Sequence, residues 1–154
     1  MSSLFLLFRI GDKRFAMSTT PVVEILPALV WTSLPQSPRG VAGVFGYRGQ
    51  HVPVIDISEL TSGTPATIRM STRIVLVRHR QSERLLGLLA EHVTETFRAS
   101  EDDLLNSGIR LASAPYLGRV IQRPEGIVQH LDVDLLLQTE FGEGVLALKS
   151  DVHR

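Results

Sequence analysis

The segment 41–57 constrains the fold of this 154-residue chain more than any other part of its sequence. Two apolar runs that are typical of strands, 41–47 and 51–57, flank an Arg-Gly-Gln turn at 48–50. This arrangement predicts a β-hairpin. Asp56 stands near the end of the second run, where its carboxylate can accept hydrogen bonds from the free amides at the start of a helix. The sequence therefore predicts a hairpin that leads directly into a capped helix.

Three residues of this hairpin are interpreted as setting its shape rather than contacting a partner. Gly49 suits a turn conformation that a side chain would forbid. Gly43 is assigned the same indirect role within the first strand. Pro53 has no amide hydrogen to donate to a sheet, so we expect its strand at an edge or its missing donor outside the sheet.

A second segment, 128–136, repeats the pattern of 52–60. Both contain valine, isoleucine or leucine, aspartate, isoleucine or valine, and leucine at identical spacing. In each segment a strand-like run ends at an aspartate, Asp56 or Asp132, and helical spacing follows. The repeat predicts two related halves, each a small barrel closed by strands. A chance match stays open as the alternative, because the repeat is short.

The rest of the chain predicts mainly β structure with short helices. The predicted elements are a hairpin at 4–10 and 13–17, a helical turn leading into a strand at 18–26, a surface loop at 27–40, strands at 73–79, 85–90 and 92–98, a capped helix from Ser100, and a final hairpin at 119–122 and 127–130. We expect one domain over 1–140, with the joint between its halves near 61–71 and a loosely held tail at 141–154.

Composition excludes several classes of partner. Sixteen basic residues balance sixteen acidic ones, so the chain lacks the long-range positive field that attracts nucleic acid or anionic lipid. The absence of cysteine rules out disulfides and thiolate zinc sites and suits a reducing compartment. No apolar run approaches the length of a membrane span. We therefore expect a cytoplasmic protein that binds no nucleic acid and does not insert directly into a membrane.

An enzyme is the main rival class, and its nearest constellation is Ser58 or Ser62 with His51 and Asp56. In a strand, His51 and Asp56 point to opposite faces, and no glycine-framed nucleophile turn surrounds either serine. The remaining histidines have no metal-ligand spacing. The sequence therefore predicts no catalytic residue, no cofactor and no metal.

The hairpin segment resembles the signature of the CheW family. Members of that family read roughly Gly-Val-x-Asn-Leu-Arg-Gly-x-x-x-Pro-Val-x-Asp across the residues that correspond to 43–56. Further similar pieces occur in the same order. They are the first hairpin at 8–16, a Val-x-Glu-Ile element at 22–25, a Gly-Leu-Leu strand at 86–89, and the closing hairpin and helix at 116–136. The resemblance spans roughly residues 4 to 137.

This resemblance implies an all-β fold with short helices, made of two SH3-like five-stranded β-barrel subdomains. It also implies an adaptor that couples the cytoplasmic tips of chemoreceptors, the methyl-accepting chemotaxis proteins, to the regulatory domain of a CheA-type histidine kinase. Other CheW-like proteins are implied as partners in rings. Two alternatives stay open: a coupling protein of a non-flagellar chemosensory-like pathway, and a generic β-barrel module that binds peptides of another partner.

The resemblance also implies the residues of the docking site. Glu24 and Arg48 are expected as a charged pair on adjacent strands beside the receptor groove, joined by two parallel hydrogen bonds. Val23, Val44 and Tyr47 are expected to give apolar contacts to a helix in that groove. The alternative is that the charged pair only holds the barrel together and that the apolar residues belong to the core.

Two residues depart from the family pattern. Gly46 stands where asparagine is usual, and Tyr47 stands where leucine is usual. The first change removes an amide beside Arg48, and the second adds a bulky phenol to the neighbouring surface. These departures are compatible with a preference for a particular subset of receptors or with membership of a non-flagellar signalling array.

Overall fold

The computed structural model describes residues 2–28, 31–80, 82–106 and 115–140. The predicted tail at 141–154 lies outside the described residues. The elements are, in chain order, β1 (Ser2–Ile10), β2 (Lys13–Ser18), β3 (Val22–Pro27), β4 (Val41–Tyr47), β5 (Gln50–Asp56), α1 (Ile57–Ser62), β6 (Arg73–Arg78), β7 (Leu85–Ser100), a 3-10 turn (Glu101–Asp103), β8 (Leu104–Asn106), a second 3-10 turn (Pro115–Leu117), β9 (Arg119–Arg123), β10 (Gly126–His130) and α2 (Val133–Glu140). The prediction of a mainly β fold with short helices is confirmed.

Backbone pairing arranges the strands in two groups that share β7. The first group has the order β7-β1-β2-β10-β9-β8, and the second group has the order β3-β6-β7-β5-β4. Neighbouring strands are antiparallel, except that β10 runs parallel to β2 and β5 runs parallel to β7. The second group has five strands, as expected for an SH3-like subdomain, and the first has six when its part of β7 is counted.

Strand β7 is the element that joins the two groups. Its residues 85–90 pair with β6 in the second group, and its residues 91–100 pair with β1 in the first group. The sequence predicts two separate strands here, which is wrong. His92 instead adopts a positive φ of 48°, and this local kink redirects one continuous strand from one group to the other.

The joint expected near 61–71 does not separate the groups. This segment connects α1 to β6, and β5, which precedes α1, lies with β6 in the second group. The chain passes between the groups at the turn 19–21 and again within β7. As a result, the N-terminal hairpin completes the group that contains the C-terminal hairpin, and the two halves are intertwined.

The predicted closure of each barrel is not found. Among the described residues, no backbone pairing joins β3 to β4, the two end strands of the second group, or β8 to the part of β7 that ends the first group. The groups are therefore open, although Thr32 of the loop before β4 pairs with Val44 on the open side of the second group.

One apolar core holds both groups together. Its largest cluster contains Leu6 and Phe8 from β1, Val75 from β6 and Leu88 from β7, and all four are buried. Phe8 is completely buried and its ring stacks on Phe15 with centroids 5.8 Å apart. Because this cluster draws side chains from both groups, neither group can bury its apolar face alone.

Two predicted helix starts are much reduced. After β2 the chain forms a turn and no helix, because the Val22 amide donates to the Thr19 carbonyl at 3.0 Å and the Ser18 hydroxyl binds Thr20. Such local side-chain bonds compete with helix formation. At Ser100 the predicted cap is present, because Asp103 and Ser100 form a capping box, but the helix is a single 3-10 turn and β8 begins immediately afterwards. The described residues also include no helix with the length and apolar character that crossing a membrane requires.

Candidate functional site

The two repeated aspartates each cap a helix. Oδ1 of Asp56 accepts from the Glu59 amide at 3.2 Å, and Oδ2 accepts from the Ala66 amide at 2.9 Å. Oδ1 of Asp132 accepts from the Leu135 amide at 3.1 Å at the start of α2. Burial raises the pKa of Asp56 above its ordinary value. Asp56 therefore ties α1 to the loop that follows it, whereas Asp132 acts on α2 alone.

The turn between β4 and β5 contains two residues, Arg48 and Gly49. Their φ angles are 48° and 80°, and Tyr47 pairs with Gln50 on either side. Positive φ at both central positions is the geometry of a type I′ hairpin turn. The sequence predicts this conformation for Gly49 but not for Arg48. The positive φ of Arg48 fixes this residue at the tip of the hairpin.

Gly43 lies where another backbone segment crosses β4. The Thr32 amide and carbonyl both bond to Val44 at 2.9 Å, so the loop before β4 runs directly beside Gly43. A Cβ atom at Gly43 would overlap the Thr32 carbonyl, whereas a Cβ atom at Gly46 would meet nothing within 4 Å. Gly43 therefore sets the path of this loop.

Pro53 is opposite Val44 in the hairpin. Because both backbone groups of Val44 bond to Thr32, this pair exchanges no ladder bonds and the missing donor of Pro53 faces away from β4. Strand β5 lies between β4 and β7, so the expected edge position is wrong. The proline instead stands just before Val54, where the parallel register with β7 begins.

Glu24, Tyr47 and Arg48 meet across the open side of the second group. The Tyr47 hydroxyl donates to Oε1 of Glu24 at 2.5 Å, and Nη2 of Arg48 lies 3.9 Å from the same oxygen. The guanidinium lies over the Tyr47 ring, 5.3 Å from its centroid. The expected pair of parallel hydrogen bonds between Glu24 and Arg48 is wrong, because β3 and β4 do not pair with each other and the Tyr47 hydroxyl already bonds to the carboxylate oxygen. Its hydrogen bond to Glu24 raises the pKa of Tyr47.

Exposed apolar side chains lie beside this cluster on β3. Val23 is 41% exposed and Ile25 is 43% exposed. They flank Glu24 along β3, and the register with β6 shifts between Val22 and Glu24, so Val23 lies at an irregularity of this end strand. The sequence prediction includes Val23 but misses Ile25, which the two-residue period of a strand could have identified. We call the set formed by Val23, Glu24, Ile25, Tyr47 and Arg48 the β3 surface.

Val44 does not belong to the β3 surface. It is only 7% exposed, since β5 lies on one side of it and Thr32 on the other. This burial argues against a direct contact between Val44 and a partner. Tyr47 is half-buried and keeps its ring beneath Arg48.

A cleft of about 570 Å³ separates the two groups next to Val23. Its walls include Phe5 and His130 from the first group and Val22 and His79 from the second. The His130 ring makes an edge contact with Phe5 at 5.8 Å between centroids, and burial lowers the pKa of His130. Of the β3 surface, Val23 therefore lines a cleft that both groups form.

The residues of the rival catalytic constellation are engaged in structural contacts. The Ser58 hydroxyl donates to the Thr64 carbonyl at 2.8 Å, and Asp56 is buried as a helix cap. His51 is exposed on β5. Within the described ranges, no group of three or more histidine, cysteine, aspartate or glutamate residues is arranged to hold a metal ion.

Comparisons with known proteins agree on one family. The sequence model of the CheW-like domain matches residues 4–141. The chemotaxis protein CheW of Helicobacter pylori is 32% identical over 101 residues, which are 65% of this chain and 59% of that protein. Protein FrzA of Myxococcus xanthus is 31% identical over 138 residues, covering 88% of this chain and 85% of FrzA. The chain thus spans less than two thirds of the Helicobacter relative but most of FrzA.

A solved structure has the same fold. The scaffolding protein TtCheW from Thermoanaerobacter tengcongensis superposes with a TM-score of 0.80 over 95% of this chain and 94% of that chain, at 18% identity. This low identity supports likeness of fold alone. The match of the family model to nearly the whole chain supports more: this chain belongs to the CheW-like domain family, whose members are chemotaxis coupling and scaffolding proteins and not enzymes.

Proposed function

We propose that this chain is a chemosensory adaptor that couples the cytoplasmic tips of chemoreceptors to a CheA-type histidine kinase. The observation that carries the proposal is the β3 surface, of which Val23 lines the cleft between the groups. Val23 and Ile25 offer exposed apolar contacts there, and Glu24, Tyr47 and Arg48 add polar groups that fix orientation. A groove with an apolar wall and a few polar groups suits a partner that presents an amphipathic helix.

An exposed apolar patch on the first group supports docking of a second protein. Ile127 is 59% exposed and Leu105 is 50% exposed. Ile127 lies opposite Gln122 on β9, and Leu105 lies opposite Val120, two residues away on the same strand. The two apolar side chains therefore share a face of the sheet. We assign this face, which is separate from the β3 surface, to the kinase regulatory domain or to another CheW-like protein in a ring.

The adaptor works without chemistry of its own. It holds receptor and kinase in a fixed relation, and it changes kinase output by favouring one kinase conformation over another. Such an effect requires only that the contacts differ between the two conformations. We place this action in the cytoplasm, at receptor arrays.

Reconstitution tests the proposal directly. Phosphorylation by the native kinase is measured with its receptor, in the presence and absence of this chain, and receptor-dependent activity is expected only when the chain is present. Arg48→Ala is expected to reduce receptor-tip binding, while Lys13→Ala, which removes an exposed cation at the start of β2, serves as the control. Kinase activity that is indifferent to the chain would contradict the proposal. Lost stability with unchanged affinity per folded molecule would assign Arg48 a structural role only.

Two other functions are separated by the same reagents. A generic peptide-binding module would bind proline-rich peptide and ignore the kinase regulatory domain. A coupling protein of a non-flagellar pathway would bind a kinase of the same type, and deleting its gene would leave flagellar swimming unchanged. The adaptor proposed above binds the regulatory domain in preference to proline-rich peptide.

A further inference from the structure

Two side chains approach Oε1 of Glu24, and only one of them lies within hydrogen-bond distance. The Tyr47 hydroxyl lies 2.5 Å away, within the range of about 2.5–2.7 Å for a bond from a hydroxyl to a carboxylate. The Arg48 guanidinium lies 3.9 Å away, beyond the limit of about 3.2 Å for an N–H···O bond. The phenol therefore takes the position at the carboxylate that the guanidinium would otherwise occupy.

The guanidinium of Arg48 is held in place but left open to solvent. The two-residue turn fixes its backbone, and the Tyr47 ring lies beneath it at 5.3 Å. Its side chain is nevertheless 78% exposed. A guanidinium presents a planar fork of donors that matches a carboxylate by two parallel bonds. Arg48 therefore presents that fork outwards, near Glu24 of β3, the strand that also carries the exposed side chains of Val23 and Ile25.

We propose that Tyr47 is a positioning residue whose phenol holds Glu24 and so leaves the Arg48 fork available to a carboxylate on the docking partner. This inference rests on the proposed function and specifies its chemistry. The partner segment carries an aspartate or glutamate next to apolar residues that contact Val23 and Ile25. A leucine at position 47 offers no hydroxyl, so Glu24 would then retain Arg48 as its own partner and the fork would be partly engaged.

The intramolecular part of this proposal is tested on the free protein. Tyr47→Phe keeps a ring beneath Arg48 but removes the hydroxyl. In this variant the side-chain N–H resonances of Arg48 are expected to shift as Glu24 is protonated, because the guanidinium moves onto the carboxylate. In the wild-type chain they are expected to shift much less. Equal shifts in the two proteins would overturn the proposal.

The recognition part is tested by binding of an isolated cytoplasmic tip of the native chemoreceptor, measured by calorimetry. Tyr47→Phe is expected to weaken binding about fivefold. Adding Glu24→Gln is expected to restore it, because a neutral amide competes less for the guanidinium. In an Arg48→Ala background, Tyr47→Phe is expected to have no further effect, since the two residues act through one contact. A loss that Glu24→Gln does not restore, or losses that simply add, would overturn the proposal.

The partner's carboxylate is identified by substituting the acidic residues of the tip one at a time with alanine. One substitution is expected to make binding insensitive to Arg48→Ala, and the absence of any such residue would overturn the proposal. Melting temperatures of all variants separate loss of folding from loss of contact. If the wild-type chain binds no receptor tip, the proposed function fails with the recognition part, whereas the resonance comparison still decides whether Tyr47 keeps Glu24 from Arg48.

Discussion

The hydroxyl of Tyr47 donates to the carboxylate of Glu24 at 2.5 Å, and this bond spans the side of the second group that backbone pairing leaves open. Tyr47 ends β4 and Glu24 lies within β3. Because these end strands share no ladder, side chains alone define their separation at this point. The same contact therefore contributes to the shape of the second group and forms part of the β3 surface.

The titration of Tyr47 reports this contact. Its pKa is raised chiefly because the phenol donates to Glu24, and a phenolate would repel that carboxylate. We expect Glu24→Gln to lower the pKa of Tyr47 towards the ordinary tyrosine value of about 10. NMR of labelled tyrosine rings measures the change, and Tyr47→Phe assigns the signal. Glu83→Gln is the control, and an equal effect from both substitutions would contradict the assignment.

A methyl group at Gly43 should destabilise the fold. Gly43→Ala places a Cβ atom against the Thr32 carbonyl, and relief requires backbone movement. We expect a loss of about 1–3 kcal/mol in the free energy of unfolding. Gly46→Ala is the matched control, because open space surrounds that position and the change should stay within about 0.5 kcal/mol. Urea unfolding decides, and similar losses at both glycines would refute the steric argument.

The two helix-capping aspartates should differ in importance. Asp132→Ala removes one cap bond and is expected to reduce the free energy of unfolding by about 1 kcal/mol. Asp56→Ala also leaves the Ala66 amide without its acceptor, so a total loss of about 2–3 kcal/mol is expected. Removing a carboxylate that burial disfavours offsets part of this loss. Thermal or urea unfolding measures both variants, and a larger loss at Asp132 would contradict the assignment.

His130 should make the fold sensitive to mild acid. Burial lowers its pKa below the ordinary 6.5, while the charges of Asp132 and Glu101 oppose this shift and that of Arg119 adds to it. The unfolded chain therefore binds a proton more readily, and stability falls as pH decreases below about 6.5 until the folded-state pKa is passed.

Replacing the imidazole tests this pH dependence. His130→Phe keeps an aromatic contact with Phe5 and should remove part of the stability loss between about pH 7 and pH 5. His51→Gln, at an exposed site, is the control for a change in histidine number. Unfolding free energies at several pH values provide the measurement. An unchanged pH profile in His130→Phe would show that other groups cause the acid sensitivity.

Local chemistry explains what the sequence could predict. The β4–β5 turn follows from the conformational freedom of Gly49, and the helix starts follow from the short carboxylate side chains of Asp56 and Asp132. These features depend on atoms a few residues apart. The CheW-like order of such local pieces also identified the fold class, because the pieces recur together in that family.

Long-range pairing explains what the sequence could not predict. In the sequence, Glu91 and His92 indicate a break between two strands. In the structure β7 is continuous through them, because it pairs with β6 before this point and with β1 after it. The contact between Tyr47 and Glu24 joins residues that are 23 positions apart, and it depends on how the end strands of an open sheet converge. No local pattern encodes that convergence. The sequence therefore predicts a contact between Glu24 and Arg48 but not the hydrogen bond between Glu24 and Tyr47.

The continuity of β7 means that the protein cannot be divided into independent pieces. A fragment that ends before His92 would contain β1 but lack most of the part of β7 that pairs with it. A fragment that begins after His92 would contain that part of β7 but lack the N-terminal hairpin. Because β7 belongs to both groups, displacement of one group is expected to bend β7 or to move the other group.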